Sequence, residues 1–124
     1  GVGFVGVIHE GPQGLGPKYG TPFVPGMTVT DEPGIYEEGR LGVRIENELL
    51  CVPVCETEYG KFYGFETFTY CPIDTRPLKL DLLSDEELAW LNRYHEMVLR
   101  ELGGCLNAEE AAWLKAACAP VTRG

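Results

Sequence analysis

Residues Thr30 to Asn47 read TDEPGIYEEGRLGVRIEN, two strand-like segments joined by a glycine-punctuated loop. Each segment carries a glutamate beside apolar neighbours, Glu32 and Glu46. The two acids are equidistant from Gly39, so a hairpin centred there sets them opposite one another, with Cβ atoms about 4.5–5.5 Å apart. Two carboxylates that close cannot both ionise without compensation, which a shared proton, a nearby arginine or a metal cation would provide. Arg44 lies two residues from Glu46 on the same face and is the candidate partner. One guanidinium balances one acid, however, whereas a divalent cation balances both. The Pro33-Gly34 turn leaves the register open. An arginine-paired or solvated hairpin and a metal site therefore both stand.

Outward from this stretch, Met27 to Glu32 and Val43 to Val54 are strands, rich in the Val, Ile, Leu and Thr that a pleated surface favours. Eleven of the sixteen glycines fall between Gly1 and Gly42, so the first third is short strands and tight loops. Phe4 to Ile8 reads as a short apolar strand ending at His9-Glu10-Gly11-Pro12, and residues 11–26, GPQGLGPKYGTPFVPG, as a breaker-rich loop. His9 is a capping or core histidine unless its strand lies beside the glutamates. Asp31 points to the face opposite Glu32 and is structural; Glu37-Glu38 is solvated loop charge. No glycine pattern precedes a helix, which excludes a phosphate loop.

Downstream, Tyr59 to Gly64 reads as a turn and Phe65 to Ile73 as a strand whose exit is bracketed by Pro72 and Pro77. The hydrophobic period then changes from 2 to 3.6. Leu83, Ser84, Glu87 and Leu88 combine a capping box with a hydrophobic staple, so a helix starts at Asp85. Its stripe of Leu88, Leu91, His95, Val98 and Leu102 ends at Gly103-Gly104, and His95 is a packing residue. A second helix starts at Asn107, with Glu110 at its third position, and stops before Pro120. Strands first and helices last define an α+β fold.

The 124 residues, 44% hydrophobic and 23% charged, suffice for one small domain. A net charge of -9 excludes nucleic acid and acidic membrane surfaces as partners. No apolar run approaches the roughly 20 residues of a membrane span, and the sequence does not open on a basic, then apolar, then small-residue pattern, so a soluble cytoplasmic protein is expected. The five cysteines are odd in number and read as reduced thiols. On one strand Cys51 and Cys55 would lie about 13 Å apart, too far for one zinc ion, unless Pro53 breaks the strand. The absence of an initiator methionine before GVGFVGVIHEGP points to a piece of a longer chain.

The strings VIHEGP and PGMTVTDEPGIYEEGRLGVRIENELL closely resemble the catalytic domain of the pita-bread metallopeptidases, family M24, which includes aminopeptidase P, prolidase and methionine aminopeptidase. The stretch FETFTYCPIDTRPLKLDLLSDEELAWLNRYHEMVLREL is similar to the C-terminal extension of long-form aminopeptidase P. The resemblance implies the C-terminal portion of a pita-bread domain over residues 1–64, followed over residues 65–124 by an extension of one strand and two helices. It makes Glu32 a ligand of one metal and Glu46 a carboxylate bridging two. Glu32 also becomes the shuttle that carries a proton to the leaving proline nitrogen, and His9 the residue that stabilises the oxyanion. Arg44 becomes an arginine that orients the carboxylates. The implied parent removes the N-terminal residue from peptides with proline in second place, using two divalent cations: manganese, with zinc or cobalt as alternatives.

The family's other ligands, two aspartates and a histidine, fall upstream of Gly1, the histidine immediately before it. At most two of five ligands are therefore present, and the chain alone is expected to be inactive and its site empty or partly occupied. Thr67 replaces an expected proline and Ile35 precedes Tyr36 where a tyrosine pair is common; neither departure touches a ligand. The implied partners are a proline-containing peptide, the upstream part of the same chain and a second copy in a homodimer. The competing expectation is a pita-bread scaffold that has lost its metals, against which stands the retention of His9, Glu32 and Glu46.

Overall fold

The computed structural model describes residues 1–3 and 5–123, in two compact units, Gly1–Thr69 and Tyr70–Gly124. The first contains β1 (Thr28–Asp31), β2 (Gly34–Glu37), β3 (Leu41–Arg44), β4 (Asn47–Thr57) and β5 (Gly60–Thr67). Strands β1, β4 and β5 form an antiparallel sheet in the order β1-β4-β5, and β2 and β3 form a separate antiparallel hairpin. The strand expected over Phe4 to Ile8 is not formed by its described residues, Val5 to Ile8; Phe4 lies outside the described residues. A single antiparallel bridge joins Val2 to His9 instead, with Gly3 N donating to Ile8 O at 2.7 Å. Val5, Val7 and Ile8 remain exposed, and among the described residues the run pairs with no strand.

The turn expected over Tyr59 to Gly64 is much shorter. Glu58 and Tyr59 alone form it, and Gly60, at φ 126°, takes the left-handed backbone that lets β5 start at once. Gly64 sits inside β5 opposite Val52, and residues 68–73 are not strand. Pro53 does not break β4: the ladder shifts register between Pro53 and Cys55, a bulge of the kind that accommodates a residue without an N–H. The shift also separates Cys51, which is buried, from Cys55, which is exposed. Val29 and Cys51 are the buried apolar residues among the described residues of this unit, and Phe23 meets Phe65 edge to face at 5.1 Å.

In the second unit a turn of 3₁₀ helix at Leu80–Leu82 leads to α1 (Asp85–Leu102), and α2 spans Ala108–Ala117. Both helices open with capping boxes. Glu87 N donates to Ser84 Oγ at 3.2 Å and Ser84 N to Glu87 Oε2 at 2.7 Å; Asn107 and Glu110 repeat the exchange. Helix α1 ends where Gly103-Gly104 predicts, but not through a left-handed glycine. Gly103 stays right-handed at φ -58° and the chain tightens into a 3₁₀ turn over Gly103–Cys105. The core is Tyr94, Val98, Leu114 and Cys118, flanked by Ile73, Met97, Leu99, Leu102 and Leu106. Asn92 ties the end of the chain to α1, its amide donating to Val121 O at 3.0 Å and accepting from Val121 N at 2.8 Å. No helix among the described residues is long and apolar enough to cross a membrane.

Candidate functional site

The hairpin β2–β3 pairs Gly34 with Arg44 and Glu37 with Leu41, and the larger sheet pairs Thr28 with Leu50 and Asp31 with Asn47. Both ladders are centred on Gly39, so one register runs through them. Between them the ladder is interrupted at Glu32-Pro33 and Ile45-Glu46. The reason is chemical: Ile45 N donates to Pro33 O at 3.3 Å, but Pro33 has no N–H to return the bond. Glu32 and Glu46 therefore stand opposite one another in register, freed from the pleat on either side.

Three side chains converge on Glu32. Thr30 Oγ1 donates to its Oε1 at 2.8 Å, and His9 Nε2 lies 3.2 Å from the same oxygen. Arg44 Nη1 lies 3.3 Å from Glu32 Oε2 and 3.8 Å from Glu46 Oε2. The guanidinium is thus set between the two acids, nearer the first. Arg44 Nε donates to Tyr36 Oη at 2.8 Å, which fixes the plane of the guanidinium. Thr30's hydroxyl, the largest influence, holds the Glu32 carboxyl below the usual range; burial opposes it, and Arg44 and His9 lower it further. Tyr36 and the two acids hold Arg44 firmly protonated.

The structure brings His9, Glu32, Arg44 and Glu46 into one cluster, although 23 residues separate His9 from Glu32 in sequence. Asp31 ends β1, paired with Asn47 of β4. Glu37, assigned to solvated charge, forms an exposed ion pair with Arg40 across the turn. Sequence reasoning missed two members. Thr30 is two residues before Glu32 and so shares its face of the strand; Tyr36 is the diagonal neighbour of Arg44, opposite Gly42.

Two carboxylates and an imidazole are donors that suit a borderline divalent cation. Among the described residues, no group of three or more His, Cys, Asp or Glu is gathered closely enough to hold one. What the chain gathers is two carboxylates across a break in the ladder, with the Arg44 guanidinium between them.

Comparison with known proteins gives the family of a chain with such an acidic pair at the junction of two antiparallel ladders. The pattern of metallopeptidase family M24 matches residues 1–53, and that of the C-terminal region of peptidase M24 matches residues 61–121. The chain belongs to metallopeptidase family M24. It is 39% identical to a probable Xaa-Pro aminopeptidase P of Coprinopsis cinerea, over 98% of this chain and 21% of that protein. With aminopeptidase P1 of Arabidopsis thaliana it shares 40% identity over 98% of this chain and 20% of the plant protein. The crystal structure of an X-prolyl aminopeptidase from Caenorhabditis elegans, described as a cytosolic enzyme with a di-nuclear active site, superposes with a TM-score of 0.82. It is 36% identical and the match covers 92% of this chain and 20% of that one. The expected fold, antiparallel pita-bread strands followed by two helices, is the fold observed. The chain spans about a fifth of the length of the relatives it matches.

Proposed function

We propose that this chain contributes the glutamate-bearing hairpin of a dinuclear metal-dependent aminopeptidase, which releases the N-terminal residue from peptides with proline in second place. The remaining ligands lie in sequence outside the chain. In this reading residues 1–64 complete the catalytic domain and residues 65–124 form its extension. The observation that carries it is the opposition of Glu32 and Glu46 at a break in the ladder, with Arg44 Nη1 3.3 and 3.8 Å away. The names of the relatives supply the substrate class.

Glu32 and Glu46 are the residues that hold metal. Two divalent cations, manganese first with zinc and cobalt as alternatives, would supply a water of lowered pKa and a Lewis acid for the scissile carbonyl. Glu32, kept ionised by Thr30, Arg44 and His9, accepts a proton and passes it to the leaving proline nitrogen. His9, at 3.2 Å from Glu32 and otherwise largely exposed, is free to donate toward the developing oxyanion. Arg44, anchored by Tyr36, keeps both carboxylates oriented.

With only two carboxylates the isolated chain binds metal weakly and turns over nothing. Incubating it with manganese and an Xaa-Pro peptide tests this: no free N-terminal residue is expected, and robust release overturns it. We further take the full-length enzyme to be a cytoplasmic homodimer. Removing residues 85–124 from it should change its sedimentation or melting temperature, and unchanged values would remove the extension from any role in assembly.

A further inference from the structure

Cys71 and Cys118 are anchored on the same core of the second unit with opposite exposure. Cys71 is exposed and precedes Pro72 in an irregular segment, whereas Cys118 is 3% exposed and caps the C-terminal end of α2. Tyr94 Oη donates to Cys71 O at 2.8 Å, and Tyr94 packs in one cluster with Val98, Leu114 and Cys118. Ile73, two residues beyond Cys71, is laid against that cluster. Cys71 also lines two clefts, of about 430 and 730 Å³, in company with α2: Ala116 and Ala117 in the first, Leu114 in the second and Trp113 in both. It therefore borders the helical turn that ends at Cys118.

The two thiols are in different states of readiness. Burial pushes the Cys118 thiol up, and the neighbouring charge of Cys71 adds to the shift. Cys118 is thus kept protonated and sheltered, while Cys71 meets solvent. An exposed thiol that an oxidant reaches first, with a second thiol close behind it, is the division of labour of a reactive and a resolving cysteine. A disulfide asks for Cα atoms roughly 4.4–6.8 Å apart, a span that a helix end and an irregular segment can close by local adjustment.

We propose that Cys71 is a site of oxidation by hydroperoxides and that Cys118 resolves it into a reversible intramolecular disulfide. The Cys71 sulfur, as thiolate, attacks one peroxide oxygen and the O–O bond breaks. The departing hydroxide takes up the proton that the thiol lost, and Cys71, oxidised by two electrons, becomes a sulfenic acid. Cys118 then attacks that sulfur: the S–S bond forms, the S–O bond breaks, and hydroxide leaves with the Cys118 proton as water. Two thiols and one peroxide give one disulfide and two waters, and a dithiol reductant reverses the change. The bond ties the segment around Pro72 to the end of α2. This inference does not depend on the aminopeptidase reading above.

The test treats the reduced full-length enzyme with hydrogen peroxide, alkylates the remaining thiols and digests with trypsin without reduction. Mass spectrometry should find residues 62–79, which contain Cys71, joined to residues 116–123, which contain Cys118, at a mass lighter by two hydrogens than their sum. Dithiothreitol should separate them. Cys71→Ser should abolish the linked pair and leave Cys118 alkylated, and Cys118→Ser should leave Cys71 as a sulfenic acid that dimedone captures. The linked pair should dominate over any pair that contains Cys105, the third cysteine of this unit, and lose that dominance when the oxidation is done in urea. A wild type in which Cys71 is recovered alkylated or overoxidised without Cys118 attached overturns the proposal. So does equal linkage of Cys71 to Cys105 in the folded protein.

Discussion

Glu32 and Glu46 stand opposite one another in a register shared by two ladders, yet neither belongs to a strand. Pro33 stops the ladder between them, and the guanidinium of Arg44 fills the position where their charges would otherwise repel. The arrangement keeps two acids adjacent with a guanidinium between them and neither fully buried.

The order of influences on Glu32 can be measured. Thr30→Val removes the hydroxyl that lowers its pKa most, Arg44→Met a neighbouring positive charge, and His9→Ala both a charge and a hydrogen bond. Carboxyl-carbon NMR titration of the three variants should show Glu32 rising in each, most in Thr30→Val. A larger rise in His9→Ala than in Thr30→Val would contradict the geometry.

His95 gives the second unit a defined acid sensitivity. It is 1% exposed, its Nε2 accepts from Ile73 N at 3.1 Å, and its Nδ1 has no hydrogen-bond partner among the described residues. Accepting at Nε2 requires the neutral ring. Burial holds the His95 pKa below the usual histidine value, against a smaller opposing effect of the Ile73 contact. The unfolded chain then binds the proton more readily, so the stabilisation is present above the ordinary value near 6.5 and is lost as pH falls from there through the folded value. Tyr94 and Cys118, both pushed up by burial, stay neutral throughout that window. Urea midpoints should drop across it in the wild type. His95→Leu should flatten the dependence while costing about 1–3 kcal/mol for the Ile73 N–H left unpaired. A pH-independent wild type would refute this.

How much of this was legible in the sequence depended on where the local chemistry was decisive. Ser84 and Asn107 fixed both helix starts because capping is settled within four residues. The centre at Gly39 followed from equal spacing and held in both ladders. The division into two sheets was not legible, since it depends on which of Pro33's backbone groups faces Ile45. The turn at Glu58-Tyr59 was placed too far along because Gly60 and Gly64 both resemble breakers, and only the pairing of Gly64 with Val52 distinguishes them. Among the described residues the run before His9 forms no strand but a single bridge from Val2 to His9, because strand pairing depends on a neighbour that no apolar run specifies by itself. In the site, Glu32, Glu46 and Arg44 were legible from spacing; the approach of His9 was not, because it depends on the path of an irregular loop.

Helix α2 offers a contrast between adjacent residues. Leu114 is 2% exposed in the core and Trp113 is 64% exposed. Leu114→Ala should cost about 2–5 kcal/mol in chemical denaturation, and Trp113→Ala should stay within about 0.5 kcal/mol of wild type. Equal losses would mean that the helix presents a different face to its core.

The central claim is that Glu32 and Glu46 are metal ligands of an aminopeptidase. Metal content of the full-length protein, by inductively coupled plasma mass spectrometry on wild type, Glu32→Gln and Glu46→Gln, tests it most directly. Two divalent ions per chain in the wild type, with Glu32→Gln losing one and Glu46→Gln losing more, are predicted. A wild type without bound divalent ions, or both variants retaining the full complement, would contradict it.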